Sequence, residues 1–427
     1  MPDESHDPAR RSWIESANAP GCPFPIQNLP FGVFSRAGEA PRPGVAIGDE
    51  ILDLAALERA GLLALDGAPV FAAPALDALM RRPRADWLAV RARLSGLLSA
   101  GEPALRDAHA RDAMCVDRAT ARLHMPFTVA GFTDFYASRE HATNVGTLFR
   151  GPEKALPPNW LHIPIGYNGR ASSVVVSGTP VRRPLGQLKG AEDPAPRLGP
   201  CEKLDFELEL GAIIGTASPM GQPITTAAAR EAIFGYVLLN DWSARDIQMW
   251  EYQPLGPFQS KAFATSISPW IVTAAALEPF RVPGPEPALP LLPYLREDGS
   301  GNLDIELEVS LTPQGGAESV ICRSNARGLY YSAAQQLAHH ALGGCPMSSG
   351  DLLGSGTISG AGRGSEGSML EFTRNGAEPL RLADGTERRF LADGDRVALT
   401  GWCTGQGYRI GFGTCEGTVL PAAAPVW

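Results

Sequence analysis

Twenty residues, GFTDFYASREHATNVGTLFR over Gly131–Arg150, hold a carboxylate (Asp134), a phenol (Tyr136), an imidazole (His141) and a guanidinium (Arg150). An imidazole changes charge near neutral pH and can carry a proton in either direction. Few apolar residues separate Asp134, Tyr136 and Glu140, so the run makes a poor core element. Taken alone, polar groups on a helix or loop ordinarily meet water. What other segments bring to this one decides its meaning.

LDFELEL over Leu204–Leu210 alternates strictly, with Leu204, Phe206, Leu208 and Leu210 on one side and Asp205, Glu207 and Glu209 on the other. Glutamates two apart on a strand face stand about 7 Å apart at Cα, so their carboxylates can converge on one cation. The plain alternative is a half-buried strand with a solvated face. LDIELEV over Leu303–Val309 repeats the pattern with Glu306 and Glu308, and periodicity does not separate the two pairs. Asp241 ends the apolar run YVLLN. A helix is expected after it, opened by a Ser243-x-x-Asp246 capping box. On that helix Arg245 and Gln248 share a face, with Tyr252 four residues on. Lys261 and Thr265 follow in a Gly/Ser/Pro-rich stretch expected to be a loop. All candidate ligands are oxygens, which selects a hard cation, Ca²⁺ or Mg²⁺, over zinc. Convergence of Asp134, Glu207, Glu209 and Asp241 would require one, because four carboxylates repel.

The elements that must position these groups follow from the bulk pattern. A chain of 427 residues fits two or three domains, and 44% hydrophobic with 19% charged residues describes a globular protein with a sizeable core. Gly 47 and Pro 38 imply many turns, favouring β-rich architecture. Residues 1–120 read as a small β domain, with strands in FPIQNLPFGVF and VAIGDEILDL and a helical extension, DALMRRPRADWLAVRARLSGLLSAG, ending at Gly101. Residues 121–427 read as a β-dominated domain with a few short helices, TTAAAREAIFG, SARDIQMWEY and Gln335–Leu342. Strands and helices do not alternate regularly, so a doubly wound parallel sheet is not expected, and the class is mostly β (α+β).

The formal charge of −9 argues against a nucleic-acid partner. The N-terminal MPDESHDPARRSW lacks the apolar core of a secretory signal, and no run of about 18 apolar residues suggests a membrane span. Seven scattered cysteines without a C-x-x-C pair indicate neither zinc nor a disulfide framework, so a reducing cytoplasm is the simplest setting.

Several blocks together, GFTDFYASREHATNVGTLFR, PNWLHIPIGYNGRASSVVVSGTP, LDFELELG, LLNDWSARDIQMWEYQPLGPF, SKAFATSISPW, ICRSN, GDLLGSGTISG and GYRIGFGTCEGTVLPA, resemble the fumarylacetoacetase family, hydrolases of tyrosine and phenylalanine catabolism. The likeness runs in order through residues 121–420, and FPIQNLPFGVFS extends it toward the N-terminus. It implies a small SH3-like N-terminal β-barrel, a C-terminal mixed β-roll and a homodimer that cleaves a small diketo acid. It also implies a Ca²⁺ or Mg²⁺ ion on Asp134, Glu207, Glu209 and Asp241, with Lys261 and Thr265 at a second Mg²⁺ site. His141 would be the base that activates water and Glu371 its orienting partner. Arg245, Gln248 and Lys261 would meet the oxyanion, and Tyr136, Arg150, Tyr167, Gln248, Tyr252 and Thr357 the substrate.

Three positions depart from the family pattern: Asn168 replaces a His, Ala264 replaces a Gly, and the loop over residues 361–368 lacks the usual Pro/Glu/Phe character. Alternatives are an acylpyruvate hydrolase or 2-keto-acid decarboxylase of the same superfamily and, in a different class, a non-catalytic metal-dependent β binding module. The latter would leave His141 and Lys261 without a task.

Overall fold

A computed structural model describes residues 3–109 and 111–424. Five short antiparallel strands form the first sheet, in the order Cys115–Asp117, Glu50–Asp53, Arg42–Ile47, Phe31–Ser35 and Arg122–His124. Arg122–His124 lies beyond residue 120 yet pairs with Phe31–Ser35. The helical extension is two helices, Asp77–Met80 and Arg84–Leu98, rather than one. Pro83 separates them, since proline lacks the amide a continuous helix needs and crowds the preceding turn. The second helix stops at Leu98, short of Gly101, because Ser99 turns extended and Ala100 donates to the Arg11 carbonyl.

The central element is an eight-stranded mixed sheet. Its path runs Gly166–Asn168, Phe132–Phe135, Leu352–Gly354, Leu208–Ile214, Ile233–Asp241, Thr265–Ile267 and Val174–Val176, with Val272–Thr273 pairing to the side. A further five-stranded sheet is ordered Ser319–Asn325, Glu306–Thr312, Arg396–Thr404, Arg409–Leu420 and Val181–Arg182. The fold is thus mostly β with few helices, and no helix among the described residues is long and apolar enough to cross a membrane.

The pleat of the central sheet places the chemistry. Phe132, Ile213, Val237, Leu239 and Leu352 point one way, into a core shared with Phe31, Val33, Leu94 and other residues of the N-terminal part. Phe135, Leu210, Ala212, Leu238 and Leu353 point the other way, into the larger core. Side chains two apart share a face. Two residues along the first face, Phe132 gives way to Asp134, Leu239 to Asp241 and Leu352 to Gly354, while Glu209 lies four before Ile213. One sheet face therefore changes from apolar to carboxylate-lined along its length.

Candidate active site and metal centre

Asp134, Glu207, Glu209 and Asp241 are all buried, and one carboxylate oxygen from each lies within 4.8 Å of the others. Register brings them together: Asp134 is opposite Gly354, Gly354 neighbours Gly211 across the next pairing, and Asp241 is opposite Thr265. Glu207 sits in the link between the Leu204–Asp205 and Leu208–Ile214 strands, its amide tied to Asn240 Oδ1 at 3.0 Å.

Among the described residues, two buried oxygens, Asp134 Oδ1 and Glu209 Oε1, have no geometrically aligned hydrogen-bond partner. Burial and then the neighbouring carboxylate charges push both of these carboxyls well above their usual range. Orphaned buried acceptors are costly and call for an explanation. An all-oxygen set with two unpartnered acceptors fits a hard divalent cation.

The other side of the cluster is met by protein cations. Lys261 Nζ donates to Asp241 Oδ2 at 2.7 Å and makes a short contact with Glu207 Oε2. Arg245 Nη2 lies 2.9 Å from Glu207 Oε1 as an ion pair without an aligned hydrogen bond. Burial alone would raise the Glu207 carboxyl, but Arg245, then Lys261 and His141, hold it below the usual range. Thr265 Oγ1 donates to Asp241 Oδ1 and Tyr167 Oη to Asp241 Oδ2, each at 2.9 Å. Lys261 is not in a loop: it belongs to a short helix, Gln259–Ala262, and Thr265 opens a strand. Both are thereby fixed against Asp241.

His141 lies in the first turn of the helix Arg139–Arg150, capped by the Ser138 hydroxyl. Its Nδ1 is 2.7 Å from Glu371 Oε2, and its Nε2 stands 3.9 Å from Glu207 Oε1. Glu371 is buried, which would raise its carboxyl, yet His141 and the hydrogen bonds around it keep it low. Asn144 Nδ2 donates to Oε1 at 2.9 Å, and Ser368 and Ser359 hydroxyls donate to Oε2 at 2.8 and 3.0 Å. A low carboxyl only accepts, so Nδ1 carries a proton toward Glu371, and Nε2 is the ring nitrogen that faces the acid cluster. Tyr136 packs edge-on against this ring at 5.4 Å between centroids.

Several expected site residues stand apart from this cluster. The exposed Arg150 guanidinium donates to the Lys154 and Ala155 carbonyls at 3.1 and 2.6 Å. Tyr252 is 45% exposed, its hydroxyl accepting from Gln253. Gln248 accepts from Arg245 Nη1 at 3.4 Å, and Thr357 is buried behind Gly367.

The expected Ser243–Asp246 capping box does not form, and Ala244 is the helix N-cap. Ser243 donates to the Asp241 carbonyl while Asp246 accepts from the Glu202 amide and the Cys201 thiol. Asp205, Asn144, Ser359, Ser368 and Gly354 are the site neighbours that motif reading missed. Of these, Asp205 alone left a trace, as the third carboxylate on the Glu207–Glu209 face.

An all-oxygen acid cluster beside a histidine–carboxylate pair, on a mostly β fold, is the equipment of a metal-assisted hydrolase. Comparison with known proteins makes this specific. The family described as Fumarylacetoacetate (FAA) hydrolase C-terminal matches residues 131–420, and Fumarylacetoacetase N-terminal matches residues 27–126. Fumarylacetoacetase of Homo sapiens is 50% identical over 407 residues, covering 94% of this chain and 97% of the relative. Fumarylacetoacetase of Bos taurus is 52% identical over 404 residues, covering 93% and 96%. A solved fumarylacetoacetate hydrolase from psychrophilic Exiguobacterium antarcticum shares the fold at 18% identity and TM-score 0.50, over 92% of this chain and 99% of that one. The chain belongs to the fumarylacetoacetase family.

Proposed function

We propose that the chain hydrolyses the carbon–carbon bond of 4-fumarylacetoacetate to fumarate and acetoacetate, the last step of tyrosine and phenylalanine catabolism. The observation that carries this reading is the His141–Glu371 pair, its Nε2 turned toward the buried acid cluster. Glu371 fixes the ring tautomer, so Nε2 takes a proton from water. The resulting hydroxide adds to the carbonyl carbon on the fumaroyl side. Arg245, Gln248 and Lys261 donate to the oxyanion. As the oxyanion collapses, the carbon–carbon bond breaks and its electron pair goes to the acetoacetate carbon. The proton on His141 then returns to that carbon.

Asp134, Glu207, Glu209 and Asp241 would hold Ca²⁺ or Mg²⁺, which supplies Lewis-acid polarisation of the diketone oxygens. Lys261 and Thr265, fixed on Asp241, would flank a second Mg²⁺ site. Tyr136, Arg150, Tyr167, Gln248, Tyr252 and Thr357 are assigned to substrate contacts, with Arg150 and the tyrosines anchoring its carboxylates. For Arg150 and Tyr252 this entails turning inward from their present partners.

The finer architecture proposed is an SH3-like barrel over about residues 1–120, closed by Arg122–His124, and a mixed β-roll over residues 121–427. A cytoplasmic homodimer completes the reading. Exposed Met249, Trp250, Leu255 and Phe258, beside Gln248 and Lys261, supply apolar surface for a second copy to cover.

The test is loss of the diketone absorbance when fumarylacetoacetate is added with Ca²⁺ or Mg²⁺, with fumarate and acetoacetate appearing. An unchanged spectrum removes the reading. His141→Ala is expected to lower kcat by roughly 10²–10⁴-fold while cation affinity is kept. Wild-type turnover in that variant would sink the assignment of the base.

A further inference from the structure

Asp205 is fully buried and uses every acceptor position it has. Its Oδ1 accepts from the Phe206 amide at 2.9 Å and the Met369 amide at 2.6 Å. Its Oδ2 accepts from Arg245 Nε at 2.8 Å and the Leu370 amide at 3.0 Å. Met369 and Leu370 open the helix Met369–Phe372, which carries Glu371.

A four-residue helix cannot hold itself in place, because its nucleation cost exceeds what so few bonds return. Its N-cap, Ser368, makes no side-chain cap bond, since that hydroxyl is engaged by Glu371. Asp205, more than 160 residues earlier in the chain, satisfies the helix's first two amides instead.

A closed ring of contacts follows. Asp205 holds Arg245, Arg245 pairs with Glu207, Glu207 faces His141, His141 bonds Glu371, and the Glu371 helix returns to Asp205. We propose that Asp205 is a positioning residue that fixes Arg245 and the Glu371 helix relative to one another, so that oxyanion donor and proton acceptor meet the substrate from set positions. This rests on the roles given above to Arg245 and Glu371.

Asparagine cannot substitute for Asp205. Whichever way its amide is turned, an NH₂ replaces an oxygen that two N–H donors already face. The test measures kcat and KM for Asp205→Asn in the wild-type, Arg245→Met and Glu371→Gln backgrounds, on the cation-loaded enzyme, with thermal unfolding and Ca²⁺ calorimetry on each variant. Asp205→Asn alone is expected to lower kcat roughly 10–100-fold, the range for groups that orient others. KM should stay within about threefold. In each of the two mutant backgrounds the same change should cost clearly less, since part of what it positions is already gone.

Wild-type kcat in Asp205→Asn, or an equal fold-loss in all three backgrounds, overturns the proposal. Wild-type turnover in both Arg245→Met and Glu371→Gln would instead overturn the roles of those residues. Where Asp205→Asn fails to fold, Met369→Pro cuts the link from the other side. It deletes the amide that Asp205 Oδ1 accepts, at a first helical position where proline is tolerated after the extended Ser368. The same fall in kcat with KM held supports positioning, and wild-type kcat in that variant overturns it.

Discussion

LDFELEL and LDIELEV occur about a hundred residues apart in the same chain, read alike, and end in opposite surroundings. In the second, Leu307 and Val309 enter the core while Glu306 is exposed and Glu308 half-buried, paired with the largely exposed Arg323 at 2.9 Å. In the first, every residue from Leu204 to Leu210 is buried. Period-two alternation specifies two faces but is silent on what lies over each. The second face of LDIELEV meets water. That of LDFELEL is closed over by the Met369–Phe372 helix at Asp205, by Lys261 and Arg245 at Glu207, and by Gly356 and Asp134 at Glu209.

A solvated glutamate costs the fold almost nothing, whereas each buried ion costs several kcal/mol before partners are counted. Glu207 has cationic partners, but Glu209 Oε1 and Asp134 Oδ1 have no aligned donor among the described residues. That asymmetry is what a bound cation on the proposed ligands would relieve.

The strongest way to break the comparison is to make the same change in both strands. Glu209→Gln removes a proposed ligand and is expected to lower kcat/KM by roughly 10³-fold, the several kcal/mol that Lewis-acid stabilisation supplies. Ca²⁺ affinity measured by calorimetry should fall with it. Wild-type affinity and turnover in Glu209→Gln would mean that the buried cluster is a structural ion-pair network.

A second test leaves every carboxylate in place. A methyl added at Gly354 would stand 2.5 Å from Asp134 Oδ1 and 2.9 Å from Glu209 Oε2, distances that force one of them aside. Gly354→Ala is expected to weaken cation binding roughly 10–100-fold, the usual cost of disturbing ligand orientation. Unchanged Ca²⁺ affinity would show that these two oxygens need not converge.

Gly354 also marks where sequence reading runs out. The expected mostly β class and the helix expected over Gln335–Leu342 (which runs Ala333–Ala341) were legible, because periodicity and caps are local properties. The preference for Glu207 and Glu209 over Glu306 and Glu308 came from resemblance, since no local property distinguishes them. Ser359, Ser368 and Asn144 were missed because a serine or asparagine gains meaning only from what stands opposite, here Glu371. The Ser243–Asp246 box failed for the same reason, as Asp246 found the Glu202 amide and Cys201 thiol first.

Glu371 sharpens the comparison from inside the site. Unlike Glu209 it is held by protein donors throughout, and so needs no cation. Ser368→Ala removes one donor to this buried carboxylate and is expected to cost about 1.5–3 kcal/mol of stability at neutral pH. The sign with pH follows from a carboxyl held below its unfolded value. Its contribution is full above the ordinary carboxylate pKa and is lost as pH falls through the lowered folded one. Losing the donor raises the folded value, so Ser368→Ala should approach the wild type in stability as pH drops well below 4. Thermal unfolding followed from neutral to acid pH checks this, and a difference that does not shrink would place the cost in packing.

The smallest expected effect is the counterpart of the first. Glu308→Gln makes the same chemical change as Glu209→Gln, in a strand of the same pattern, where the carboxylate has one exposed arginine partner. Screened pairs of this kind contribute about 0.2–1 kcal/mol, and here Arg323 keeps most of its solvation when the pair is lost. Stability should therefore change by no more than about 0.5 kcal/mol, and kcat/KM and Ca²⁺ affinity should stay within about twofold. The strand itself should be unaffected, because Leu307, Val309 and Leu311 hold it from the other face. A large loss here would mean that alternation with paired glutamates is costly to disturb wherever it occurs. The contrast between the two strands would then lie in their shared pattern and not in the layer that covers one of them.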